Sequence, residues 1–185
     1  MRVIIAKSGV NVKQTYSIYA ATVMAALMTV VAGRAADVKP PEPRVFGGAQ
    51  VQEVYRVLLD RDALLLESVI DIIKQKNIQD GEVLVSAGSV QECTYHYVGT
   101  TEMKAKNVFK TVKGPFEILA ASGIIADGEP HIHIALSHNG QGGYGGHLEK
   151  GCRVLYLAEL TIIKYTGPPL TRKDNENGIS LLQAK

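Results

Sequence analysis

The chain has 185 residues, 46% of them hydrophobic and 21% charged, with no Trp and two Cys. That length suits one domain with an appendage and a core that stands without staples, while the composition excludes a disulfide scaffold, a disordered tail and a multi-span membrane protein. The net charge of +2 is a poor hint of nucleic acid: Arg2, Lys7, Lys13 and Arg34 stand in residues 1–35 without any acid, and residues 36–185 carry 16 basic against 18 acidic side chains, a net −2.

From Gln14 to Gly33 there is no charged residue, and Ile18–Val31 (IYAATVMAALMTVV) is almost wholly apolar. A basic lead-in, an apolar run and the small residues Gly33 and Ala35 read as a signal peptide over residues 1–35. The alternative is an uncleaved anchor, for which the run approaches the roughly 20 residues that span a bilayer; the small-residue exit favours cleavage. The protein is therefore expected to be exported, to a periplasm or beyond. Residues 36–49 follow as a linker, made extended by three prolines in DVKPPEPR (37–44).

The domain proper is expected over residues 50–166. Gln50–Leu58, loosely alternating and rich in Val and Tyr, predicts a first strand. Asp62 to Lys76 predicts the one helix: Leu65, Leu66, Val69, Ile70, Ile72 and Ile73 recur at helical spacing, Asp62 is placed to cap it, and Lys74 and Lys76 suit its last turn. Six runs then predict strands, at Glu82–Ala87, Cys93–Val98, Asn107–Val112, Glu117–Ser122, His131–Ser137 and Leu155–Tyr165. Turn signals separate them at Gly99, Lys113–Gly114–Pro115, Asp127–Gly128 and Asn139–Gly146. One helix on several strands is an α+β arrangement with a mostly antiparallel sheet. Residues 167–185 are polar and read as a loosely ordered tail.

Four of the five histidines fall between positions 131 and 147. His131 and His133, two apart on a strand, share one face about 6.5 Å apart, where two imidazole nitrogens can converge on one ion at about 2.1 Å each. If the glycine-rich stretch Asn139–Gly146 folds back as a hairpin, His147 returns beside them, and three histidines form an open metal site. Polar decoration of a strand is the plainer reading of the same residues. His138 reads as solvated, and His96 as a packing or surface residue. The glycine run has no following Lys-Ser/Thr and opens no helix, so it does not read as a phosphate loop. Glu117 and Glu149 are the candidate acid–base residues, Glu149 because it shares a face with His147 on an extended segment. Cys93 and Cys152 form one disulfide if their strands are neighbours in an oxidising compartment; two separate buried thiols is the simpler reading. Lys104, Lys106, Lys110 and Lys113 are the one basic cluster, a pattern typical of a solvated sheet edge.

Gly114-Pro115-Phe116-Glu117-Ile118-Leu119 with Ser122-Gly123, Pro130-His131-Ile132-His133, Gly145-Gly146-His147-Leu148 and Glu149-Lys150-Gly151-Cys152 together resemble the PPC (plants and prokaryotes conserved) domain, over roughly residues 50–165. The resemblance implies an α+β fold with a helix across an antiparallel sheet, similar to that of α-acetolactate decarboxylase, and assembly as a homotrimer. Prokaryotic members are often labelled DNA-binding by analogy with plant ones, and some carry zinc on three histidines, which here would be His131, His133 and His147. The chain departs from the family in two places. Asp60-Arg61 stands where many members have Gly-Glu, and the Arg-Gly-Arg-Pro hook of the plant proteins is absent. The sequence therefore predicts an exported metal-binding trimer that acts on or senses a small molecule, with DNA binding and a metal-free interaction module as alternatives.

Overall fold

The computed structural model describes residues 40–139 and 141–185. The predicted signal peptide and the start of the linker lie outside them, and residues 40–49 are exposed and without regular secondary structure. The elements in chain order are β1 (Gln50–Asp60), α1 (Leu65–Gln75), β2 (Asp80–Val98), β3 (Asn107–Ala126), β4 (Glu129–His138), β5 (Gln141–Leu148), β6 (Arg153–Thr166), β7 (Leu170–Asp174) and β8 (Ser180–Ala184). The first six strands form one antiparallel sheet in the order β1-β6-β2-β3-β4-β5, and β5 turns back to pair with the far end of β2. This is the α+β arrangement the sequence predicts.

Two pairs of predicted short strands are in fact single long ones. Glu82–Ala87 and Cys93–Val98 both belong to β2, and Asn107–Val112 and Glu117–Ser122 both belong to β3. The Gly114-Pro115 signal marks an irregularity inside β3 rather than a turn. Opposite it, the register jumps from the pair Glu92 and Lys113 to Val90 and Phe116. Gly114 takes a φ of +139° there, and Pro115, which has no N–H to give a ladder, sits where pairing is broken.

The helix is shorter than predicted and is not capped by Asp62. Its N-cap is Leu64, with no side-chain cap, and the first helical N–H, that of Leu65, donates to the carbonyl of Cys152 at 2.8 Å. Tertiary structure thus satisfies a donor that a capping side chain would normally take. Asp62 instead adopts a left-handed φ of 70° and accepts from Gln91 Nε2 at 2.6 Å. Glu67, in the first turn where a negative charge is favourable, accepts the Gly151 N–H at 2.9 Å. The helix buries Leu65, Leu66, Val69 and Ile73 against a core that includes Val83 and Val90 of β2, Ile125 of β3, Ile132, Ile134 and Leu136 of β4, and Val154, Leu160 and Ile162 of β6.

Two further expectations are corrected. Cys93 and Cys152 are not separate thiols: both are fully buried and joined as a disulfide, which ties β2 to the lead-in of β6. Residues 167–185 are not a loose tail either. β7 and β8 pair as a hairpin from Leu170 opposite Ala184 to Asp174 opposite Ser180, and Thr171 is buried.

Candidate metal centre

β5 leaves β4 through a turn at Asn139 and runs back antiparallel, which sets His147 directly opposite His133. On its other side His147 stands directly opposite His96 of β2. Residues opposite one another in a sheet share a face, so His133, His147 and His96 lie abreast across three strands. His131 adds to the row by the two-residue period of β4, while Ile132 and Ile134 turn the other way into the core. Most of the glycine-rich run is strand rather than turn. A Cβ at Gly145 would run into the Ile134 carbonyl and one at Gly146 into the His96 carbonyl, so only glycine lets β5 press this closely between β4 and β2.

His131, His133 and His147 offer ring nitrogens that all lie within 4.8 Å of one another, and the Nε2 atoms of His131 and His133 are 3.3 Å apart. Two ligands about 2.1 Å from a tetrahedral ion are separated by about 3.4 Å, so this pair fits a shared metal. The ring centroids of His131 and His147 are 4.8 Å apart, and those of His133 and His147 5.7 Å.

A second group of three, His96, His147 and Glu149, shares His147 with the first. His96 Nδ1–H donates to Glu149 Oε1 at 2.6 Å, which fixes the imidazole of His96, and that ring stacks on His147 with centroids 4.6 Å apart. Glu149 thus meets the cluster through His96, a residue that the sequence reading left to packing or the surface. Glu117, the other predicted acid, is exposed. It pairs with Ser137, four residues along β4 from His133, about 13 Å away at strand rise, and is not brought into the cluster. His138 is anchored rather than merely solvated: its Nδ1–H donates to the Pro115 carbonyl at 2.8 Å.

Two of the imidazoles, those of His131 and His147, are held toward the neutral form. Burial, then the charge of Arg172 and the neighbouring histidines, lowers His131 to about 4. Burial and His96 lower His147, against an opposing pull from Glu149. Neutral imidazole is the form that binds metal. Between about pH 4 and 6.5 the unfolded chain binds a proton at His131 that the folded chain refuses, so stability rises with pH through that window. Chelator-stripped protein is expected to hold its full stability above about pH 6.5 and lose it progressively as the pH falls toward 4. A denaturant midpoint that stays flat over this range would contradict the assignment.

Two residues that sequence reasoning left without a role therefore belong here. His96 carries no spacing signal, because only the β2–β5 register brings it to His147. Arg172 lies in the supposed tail, yet its charge acts on both His131 and His147. The lysine cluster is exposed, with Lys113 paired to Glu92 at 2.9 Å and Lys110 set over the Tyr144 ring, 5.5 Å from its centroid.

The sequence pattern described as the Plants and Prokaryotes Conserved (PCC) domain matches residues 47–166. The bifunctional protein GlmU of Synechococcus sp. (strain JA-3-3Ab) is 29% identical over 122 residues, 66% of this chain and 18% of that protein; the chain spans less than a fifth of that relative's length. Among solved structures, the metal-containing protein AF0104 of Archaeoglobus fulgidus is 25% identical, with a TM-score of 0.66 over 76% of this chain and 99% of its own. A protein of Bacteroides thetaiotaomicron described as a candidate DNA-binding protein is 18% identical, with a TM-score of 0.64 over 74% of this chain and 97% of its own.

Proposed function

The chain belongs to the Plants and Prokaryotes Conserved domain family, and on that premise we propose that it is an exported homotrimer holding one zinc ion per chain on His131, His133 and His147, where it binds or transforms a small molecule. The observation that carries the metal is the convergence of three imidazoles, with two Nε2 atoms 3.3 Å apart. Zinc held there by His131, His133 and His147 would supply Lewis-acid polarisation of a carbonyl or of a water. The chain's own residues do the rest. His131 and His147 present neutral nitrogens, and Glu149 orients His96 against the back of His147. A hydrolysis or decarboxylation of a small oxygenated substrate is the reaction class that suits such a site.

Export is supported by the apolar segment ahead of Ala35 and by the Cys93–Cys152 disulfide, a bond that persists in oxidising compartments. Self-association is supported by exposed apolar side chains on one face of β1, where Val54 and Leu58 stand four residues apart and more than half exposed. The test is metal content of the mature protein, purified without chelator or nickel. One zinc per chain is expected, and a chain that stays metal-free after incubation with zinc overturns the reading.

A DNA-binding reading has in its favour the description of the Bacteroides thetaiotaomicron neighbour and the exposed Lys104, Lys106 and Lys110. Phosphate contacts dominate DNA affinity, and residues 36–185 are net acidic. A gel shift that weakens steeply with salt would support this reading; no shift at low salt removes it.

A further inference from the structure

β7 and β8 lie beyond the residues that the family pattern matches, and they bring a cation to the histidines. Leu170 and Leu182 line a cavity of about 270 Å³ together with Ile124, Ala126 and Tyr165, so the hairpin lies over the end of β3 where Ile124 pairs with His131. Side chains alternate along a strand, and Arg172 shares the face of Leu170 about 6.6 Å further on; it stands directly opposite Leu182 in the other strand. The face that seats the two leucines on β3 therefore carries Arg172 as well.

The guanidinium is poorly employed by the fold itself. One nitrogen, Nη2, donates to the Ser180 carbonyl at 2.9 Å, which leaves most of its five N–H donors for other use. Among the described residues no carboxylate forms an ion pair with it; the charge of Asp174, two residues along β7, acts on it without such a contact. The carboxylate of the histidine cluster, Glu149, is engaged with His96. A half-buried permanent cation beside neutral imidazoles repels a metal dication unless an anion lies between the two.

We propose that Arg172 is a carboxylate anchor, so that the ligand of this site is a small carboxylate whose oxygens span the guanidinium and the metal position. A planar carboxylate matches the guanidinium fork in a way that a lysine ammonium does not reproduce. The inference rests on the metal reading above and names the ligand class that reading leaves open.

The test uses the full mature chain loaded with cobalt(II), whose visible spectrum reports ligands at the ion, titrated with acetate, with acetamide as the uncharged counterpart and inorganic phosphate as a competing oxyanion. Metal stoichiometry is measured first in the wild type, Arg172→Gln and Arg172→Lys. Arg172→Gln is expected to keep one metal per chain and to bind acetate about 10- to 100-fold more weakly, the worth of a charge-assisted hydrogen bond. Arg172→Lys is expected to recover only part of that loss, and acetamide to be indifferent to the substitution. Equal acetate affinity in the wild type and Arg172→Gln, both fully metallated, overturns the anchor and leaves the metal site standing. Arg172-dependent binding of phosphate in preference to acetate overturns the carboxylate assignment. A wild type that takes up no metal overturns the metal reading and the anchor with it.

Discussion

His133→Ala is expected to lower metal affinity by more than about 100-fold while leaving the metal-free domain folded. Loss of a partner that only orients a ligand already costs about 10- to 100-fold, and the proposed function makes His133 a ligand itself, its Nε2 3.3 Å from that of His131. The side chain is exposed, so its removal opens no cavity in the core. His138→Ala is the matched control, because its Nδ1 is committed to the Pro115 carbonyl. Zinc titration of the three proteins, with thermal unfolding at each metal concentration, separates the cases. The wild type and His138→Ala should gain stability with added metal, and His133→Ala should gain none. Equal stabilisation of all three would mean that the histidines only line a surface.

Breaking the disulfide is expected to be the most destabilising single change. Cys93 and Cys152 are 59 residues apart and fully buried, and closing a loop of that length removes unfolded-state entropy worth about 4 kcal/mol. Replacing both cysteines by alanine should lower the free energy of unfolding by about that amount, seen as a fall in the denaturant midpoint. Replacing one by serine leaves a hydroxyl beside an unpaired buried thiol and should cost at least as much. Coincident midpoints for the double alanine variant and the wild type would show that the bond adds nothing.

The parts of this molecule that were legible in its sequence are those whose signal is local. The helix showed in the spacing of Val69 and Ile73, and most strand segments showed in their alternation. His131 and His133 were legible as a pair because the two-residue period alone puts them on one face. The return of His147 was legible as a condition, since glycines and a turn residue permit a hairpin. What escaped depends on contacts remote in sequence. The fusion of four predicted strands into β2 and β3 depends on neighbours that carry the ladder past Gly114-Pro115. The helix start is set by the Cys152 carbonyl rather than by Asp62, and no local rule pairs residues 65 and 152. His96 joins the cluster only through the closure of β5 on β2, and Arg172 only because a polar hairpin lies back over β3. Glu117 shows the reverse error: its nearness in sequence to the strands of the site does not survive the register of β3 against β4.

The bond between Cys93 and Cys152 has a topological consequence as well as an energetic one. His96, His131, His133, His147 and Glu149 all lie between the two cysteines, so the whole cluster is built within one covalent ring closed by sulfur. The exposed stretch around Lys104 and Lys106 lies in the same ring. A protease that cuts there opens the ring into a line without dividing the molecule: the two new ends stay joined through sulfur, and β3, β4 and β5 remain attached to β2. That arrangement puts an exposed loop where one cut releases no fragment.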